Sequence, residues 1–164
     1  MTHPLEPISA KEINTALKIF HKTFDGTEVF FSSAGLLEPP KHIVKSGGIA
    51  PRVVKLLGVD NIPDGGFVAE IDLTSKSASI SRLPGDSQAP YSFAELGIAV
   101  MLTKQNEAWL AAIAKRGIPV STEKDLKLIQ IDPWPAGGFV YSKIPEGHRA
   151  VKCIAFLKED ETDN

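Results

Sequence analysis

The sequence predicts an α+β fold made of two small domains, each a helix packed on an antiparallel sheet. Three observations carry this expectation. Two helix starts of the same design stand at Ser9-Ala10-Lys11-Glu12 and Ser92-Phe93-Ala94-Glu95. The run Phe67 to Leu73 alternates apolar and mostly acidic residues, and a turn-rich stretch, Pro84 to Pro90, separates the halves. Alternation has the period of a half-buried strand, and one apolar face needs one covering layer.

In the first half, Ser9 can cap the free amides of a helix while Glu12 reaches back to the cap, with Ile8 and Ile13 placed as a hydrophobic staple. Ile13, Ala16, Leu17 and Phe20 then recur at helical spacing as a core face, and Lys11, Asn14, Lys18 and Lys22 lie on the opposite one. Gly26 punctuates the chain. A strand is expected from Val29-Phe30-Phe31 toward the stop at Glu38-Pro39-Pro40, followed by strands at Arg52 to Val59, Phe67 to Leu73 and Ser77 to Leu83. Phe67, Ala69, Ile71 and Leu73 share the face that the helix covers.

The second half repeats the device. Ser92 with Glu95 forms the second expected capping box, Tyr91 with Leu96 the staple, and Leu96, Ala99, Val100 and Thr103 the helical face. Leu110, Ile113 and Ala114 suggest another helix, closed by Gly117 in a left-handed cap before Ile118-Pro119. Asp125 to Ile131 and Arg149 to Leu157 read as strands, and Asp132-Pro133-Trp134-Pro135-Ala136-Gly137-Gly138 as a rigid packed turn, in which an exposed Trp134 would make an interface anchor. The expected domains are 1–88 and 89–157, with 158–164 as an acidic tail or linker.

Composition excludes several classes. The 164 residues are 43% hydrophobic and 23% charged with a net charge of −2, and the basic residues form no stripe, so neither nucleic acid nor a membrane is an expected partner. Cys153 is the single cysteine, which rules out an intrachain disulfide or a cysteine zinc cluster. Its apolar surroundings predict a buried, inert thiol. No signal peptide is visible at Met1, so the compartment is read as cytoplasmic if the start is native and as periplasmic or secreted if a leader was removed.

Few residues are arranged for chemistry. His3, His21, His42 and His148 form no local metal pair, and terminal, capping or turn positions account for them. Gly47-Gly48, Gly65-Gly66 and Gly137-Gly138 belong to no phosphate-binding pattern and read as turns; no nucleophile elbow is present. Glu70, Asp72 and Asp132 are carboxylates without a pocket. No catalytic, cofactor-binding or metal-ligating residue is therefore assigned, and the chain alone is expected to be inactive.

Five segments in order, His3 to Ile13, Leu37 to Lys41, Ile71 to Thr74, Ala114 to Ile118 and Ile131 to Gly137, resemble the amino-terminal region of the copper-containing primary-amine oxidases of the tyramine oxidase type. The resemblance implies the second and third amino-terminal domains of that family, both cystatin-like and non-catalytic. It implies a parent enzyme that converts primary amines to aldehydes with release of ammonia and hydrogen peroxide, using copper and topaquinone. The family's quinone tyrosine and paired copper histidines have no match here: Tyr91 follows Pro90 and Tyr141 follows Val140. The hairpin Thr74-Ser75-Lys76 also departs from the family's glycine-bearing turn. The implied partner is the carboxy-terminal catalytic domain of the parent oxidase, with a homodimer only in the full-length enzyme. The alternatives are a free-standing protein-interaction module of the same fold and a small unrelated α+β enzyme.

Overall fold

The computed structural model describes residues 3–24, 28–60, 65–85, 87–136 and 148–160. The chain forms two compact units, Met1–Ser92 and Phe93–Asn164.

In the first unit, helix α1 (Ala10–Thr23) starts with the expected capping box. The Glu12 amide donates to Ser9 Oγ at 3.3 Å, and Glu12 Oε2 accepts from the Ser9 amide at 2.7 Å. The helix lies on a sheet of β1 (Val29–Leu37), β2 (Val53–Asp60), β3 (Gly66–Asp72) and β4 (Ser77–Arg82), antiparallel throughout and in sequence order. Short connections favour this order, because each strand pairs with the one just formed. The register brings Val54 opposite Ile71, Leu56 opposite Ala69 and Gly58 opposite Phe67. All three pairs point toward α1. Ala16 and Phe20 are fully buried against them, and Ile19, absent from the expected core face, is largely buried as well.

Gly58 is needed where it stands. A Cβ there would come 2.7 Å from the Phe30 carbonyl oxygen and 2.9 Å from the Phe67 ring, so only hydrogen leaves room for that ring. Phe67 in turn stacks on Phe20 with centroids 5.3 Å apart, and Phe20 stacks on Phe24 at 4.9 Å. At the other end of the sheet Asp72 closes the β3–β4 hairpin, its Oδ1 accepting from the amides of Thr74 and Ser75, while Lys76 takes φ of 57°. A β-bulge between Phe31 and Ser33 shifts the β1–β2 register, and the Ser32 hydroxyl there donates to the Leu57 carbonyl.

The second unit contains α3 (Phe93–Gln105), α4 (Glu107–Ala114), α5 (Glu123–Lys127) and the antiparallel pair β5 (Ile129–Pro135) and β6 (Val151–Leu157). Ser92 directly precedes α3, and the expected face of Leu96, Ala99, Val100 and Thr103 is the less exposed side of that helix. Both strands pack against α3. Asn106 caps α4 by accepting from the Trp109 amide, and Gly117, with φ of 78°, ends it in the left-handed conformation.

Several expectations need correction. The stretch beginning at Asp125 is helical up to Lys127 and extended only from Ile129, because Thr122 and Asp125 form a capping box that starts α5. Asp132 to Pro135 is not a turn but the end of β5. Its prolines are tolerated because β5 is an edge strand, where a missing N–H costs no ladder bond. Gly66 opens β3 rather than turning, whereas Gly47 does turn, with φ of 68°. Lys41–Lys45 forms a short helix, α2, that places His42 in a helix rather than a turn. Cys153 is half-buried on β6, not fully buried, with its sulfur 3.9 Å from the Ala99 carbonyl oxygen. Gly26, Gly137-Gly138, Tyr141 and residues 161–164 of the tail lie outside the described residues.

Candidate functional site

The polar side chains most strongly engaged form three separate ion pairs. Arg52, just before β2, donates from Nε to Glu12 Oε1 at 2.7 Å and from Nη2 to the Pro7 carbonyl at 3.1 Å. Arg82 on β4 holds the buried Asp60 carboxylate at 2.7 Å, donates to the Gly65 carbonyl, and lies over the Phe24 ring. In the second unit Arg149 meets Glu95 at 2.9 Å. Sequence reading missed all three. Their partners are far apart in the chain, 40 residues for Arg52 and 54 for Arg149, so no local spacing announces them.

Electrostatics assigns these groups to holding the fold. The hydrogen bond from Arg52, with those from Ser9, keeps the Glu12 carboxyl at about 2, well below its ordinary 4.5. A base that weak takes protons poorly at neutral pH. Asp72 and Asp125 are also lowered, chiefly by backbone amides of Ser75 and Thr74 in one case and of Thr122 in the other. Burial pushes Lys104 down, and its ammonium donates to the Leu126 carbonyl at 2.8 Å.

The carboxylates singled out by sequence do not converge. Glu70 faces away from α1, Asp72 closes its hairpin, and Asp132 on β5 accepts from the Gln130 side chain at 2.9 Å. The histidines stay apart: His3 accepts from the Leu5 amide, His21 packs edge-on against Phe20 and Phe31, and His42 and His148 are exposed. Among the described residues no group of three or more His, Cys, Asp or Glu side chains could hold a metal ion. A shallow depression on the outside of α1 is lined by Asn14, Leu17, Lys18, His21 and Lys22. No described helix is long and apolar enough to cross a membrane.

Apolar surface is the more distinctive feature. In the second unit Ile98, Met101, Leu102, Trp134, Phe156 and Leu157 are all exposed. The signal for this lay in α3 itself, which is apolar on most of its circumference, a pattern that normally implies burial on more than one side. Such surface offers contact rather than catalysis.

The chain was compared with known proteins. No family model matches it. The primary amine oxidase and the copper methylamine oxidase of Arthrobacter sp. (strain P1) are each 28% identical over 166 residues, covering all of this chain and 24% of the relative. The histamine oxidase of Arthrobacter globiformis is 27% identical over 168 residues, covering 99% of this chain and 23% of the relative. All three relatives to which the chain is similar are amine oxidases by name. The chain thus spans about a quarter of the length of the curated amine oxidases it matches. A solved amine oxidase, the copper-containing benzylamine oxidase of Hansenula polymorpha, superimposes with a TM-score of 0.71 over 98% of this chain and 25% of its own, at 17% identity. That likeness supports the α+β fold of helices on antiparallel sheets.

Proposed function

We propose that this chain is a non-catalytic, amino-terminal structural region of a copper-dependent primary-amine oxidase of the tyramine type, comprising two cystatin-like domains. One observation carries the reading: the alignment runs the full length of this chain yet occupies about a quarter of each relative. The charged groups described above support it, since each is committed to a clasp, a hairpin or a helix end rather than to a shared pocket. In this reading copper and the quinone belong to a catalytic domain encoded beyond Asn164, which is the main partner of the two domains and completes the deamination of amines. The exposed apolar side chains of the second unit favour a second reading, a free-standing interaction module of the same fold.

The gene's continuation separates the two. An open reading frame running past Asn164 into a catalytic domain with a quinone tyrosine supports the oxidase region. A stop codon at that point supports the module.

A further inference from the structure

In the first unit Glu12 is engaged by Arg52 and Asp60 by Arg82, whereas two lysines on the outside of α1 are left over. Lys18 and Lys22 are both exposed, and among the described residues neither takes part in an ion pair or a hydrogen bond. Their four-residue spacing puts the Cα atoms about 6 Å apart on one side of the helix. Like charges so placed repel and weaken the helix that carries them. The helix offers no counter-charge, because its one acidic residue, Glu12, is bonded to Arg52 and to its own cap. The surroundings of the pair are specific. Asn14, one turn before Lys18, and the half-buried Leu17 and exposed His21 complete the lining of the depression noted above. The His21 ring stands edge-on to Phe20 and Phe31, with centroids 5.4 and 6.2 Å away, so that wall is fixed while the lysine stems can close.

We propose that this depression is a binding site for a small phosphate monoester. The phosphate lies between the Lys18 and Lys22 ammonium groups, with Asn14 Nδ2 as a third donor, and the organic group rests on Leu17 and the His21 ring. A dianion matches two ammonium groups, where a monocarboxylate would leave one uncompensated. Tetrahedral oxygens also accept from donors arriving along different directions, which suits two flexible lysines. The depression is shallow and lined by a single helix, so it admits a group of ring size rather than a nucleotide or a polymer. Exposed charges contribute modestly, so the dissociation constant should be on the order of 1 mM. The inference concerns residues of this chain alone and stands apart from the oxidase reading.

Phenyl phosphate titrated into the purified 164-residue chain at physiological ionic strength tests the site, with amide chemical shifts as the readout. Shifts at Asn14, Lys18, His21 and Lys22 should saturate together. Lys18→Gln combined with Lys22→Gln removes both charges from an exposed face and should leave circular dichroism unchanged. It should weaken binding by roughly tenfold or more. Inorganic phosphate and benzoate, each carrying one half of the ligand, should bind more weakly than phenyl phosphate. Lys41 and Lys45 of α2 supply an internal control. They share the four-residue spacing and a neighbouring histidine, His42, but the position one turn before Lys41 is Leu37, the end of β1, and not an asparagine. The proposal is overturned by any of four results: no saturable shift on α1, equal shifts on α2, unaltered binding in the double variant, or either half-ligand binding as tightly as phenyl phosphate.

Discussion

Arg52 and Glu12 join the threshold of β2 to the first turn of α1, with Arg52 Nε donating to Glu12 Oε1 at 2.7 Å. The same carboxylate also completes the helix cap through Ser9, so one side chain ends the helix and fastens it to the sheet. This dual engagement has a pH signature. Glu12 titrates at about 2 in the folded chain against an ordinary 4.5, so folding favours its ionised form. The stabilisation is complete above 4.5 and fades as pH falls toward 2. Melting temperature measured across that window should drop more steeply for the native chain than for Glu12→Gln, which has no proton to gain.

Removing the cap hydroxyl should weaken α1. Ser9→Ala leaves the Glu12 amide without its acceptor and should cost about 1 kcal/mol in urea denaturation. Thr122→Ala, which removes the acceptor of the Asp125 amide at the start of α5, should cost a similar amount. No change at either site would mean that water satisfies those amides as well as the hydroxyls do.

Gly58→Ala should destabilise the first unit by roughly 1–3 kcal/mol, the usual range for overpacking a core. The added methyl would collide with backbone, the Phe30 carbonyl, as well as with the Phe67 ring. Chemical denaturation checks the size of the loss. Near-ultraviolet circular dichroism of the aromatic cluster should change with it.

Limited proteolysis should open the connection between the units first. Pro84, Gly85, Ser87 and Gln88 are exposed, whereas Ala89 and Ser92 are buried. A protease of broad specificity should therefore cut before Ala89 and spare α1, whose core face is sealed by Ala16 and Phe20. Mass spectrometry of the first fragments locates the cut, and primary cleavage within Ile13 to Phe20 would contradict the assignment.

Copper under air should generate neither a quinone absorbance nor hydrogen peroxide from a primary amine when added to this chain alone. A cofactor of that kind needs metal and tyrosine ring in one rigid site, and the four histidines are dispersed along the sequence. Turnover that disappears in Tyr91→Phe or Tyr141→Phe would refute the non-catalytic reading.

The sequence by itself determined the features that depend on neighbours in the chain. Ser9 with Glu12 set the start of α1, alternation from Phe67 to Leu73 set the buried face of β3, and Gly117 set the end of α4, because each needs only a few residues. The same locality misled where two signals overlapped. The whole of Asp125 to Ile131 read as a strand, but the Thr122–Asp125 box starts a helix first. Prolines around Trp134 suggested a turn, yet β5, an edge strand among the described residues, accepts them.

Tertiary structure alone decided the rest: which carboxylate meets Arg52, Arg82 or Arg149, why position 58 must be glycine, and which apolar side chains stay bare. Each depends on groups brought together across tens of residues by strand register and helix docking, and a linear pattern carries no trace of such distances. Local motifs are patterns of spacing, so the chain alone is where they are sought. That Ile98 and Leu102 stay exposed was not legible there, because it takes the fold to decide which sides of a helix are covered.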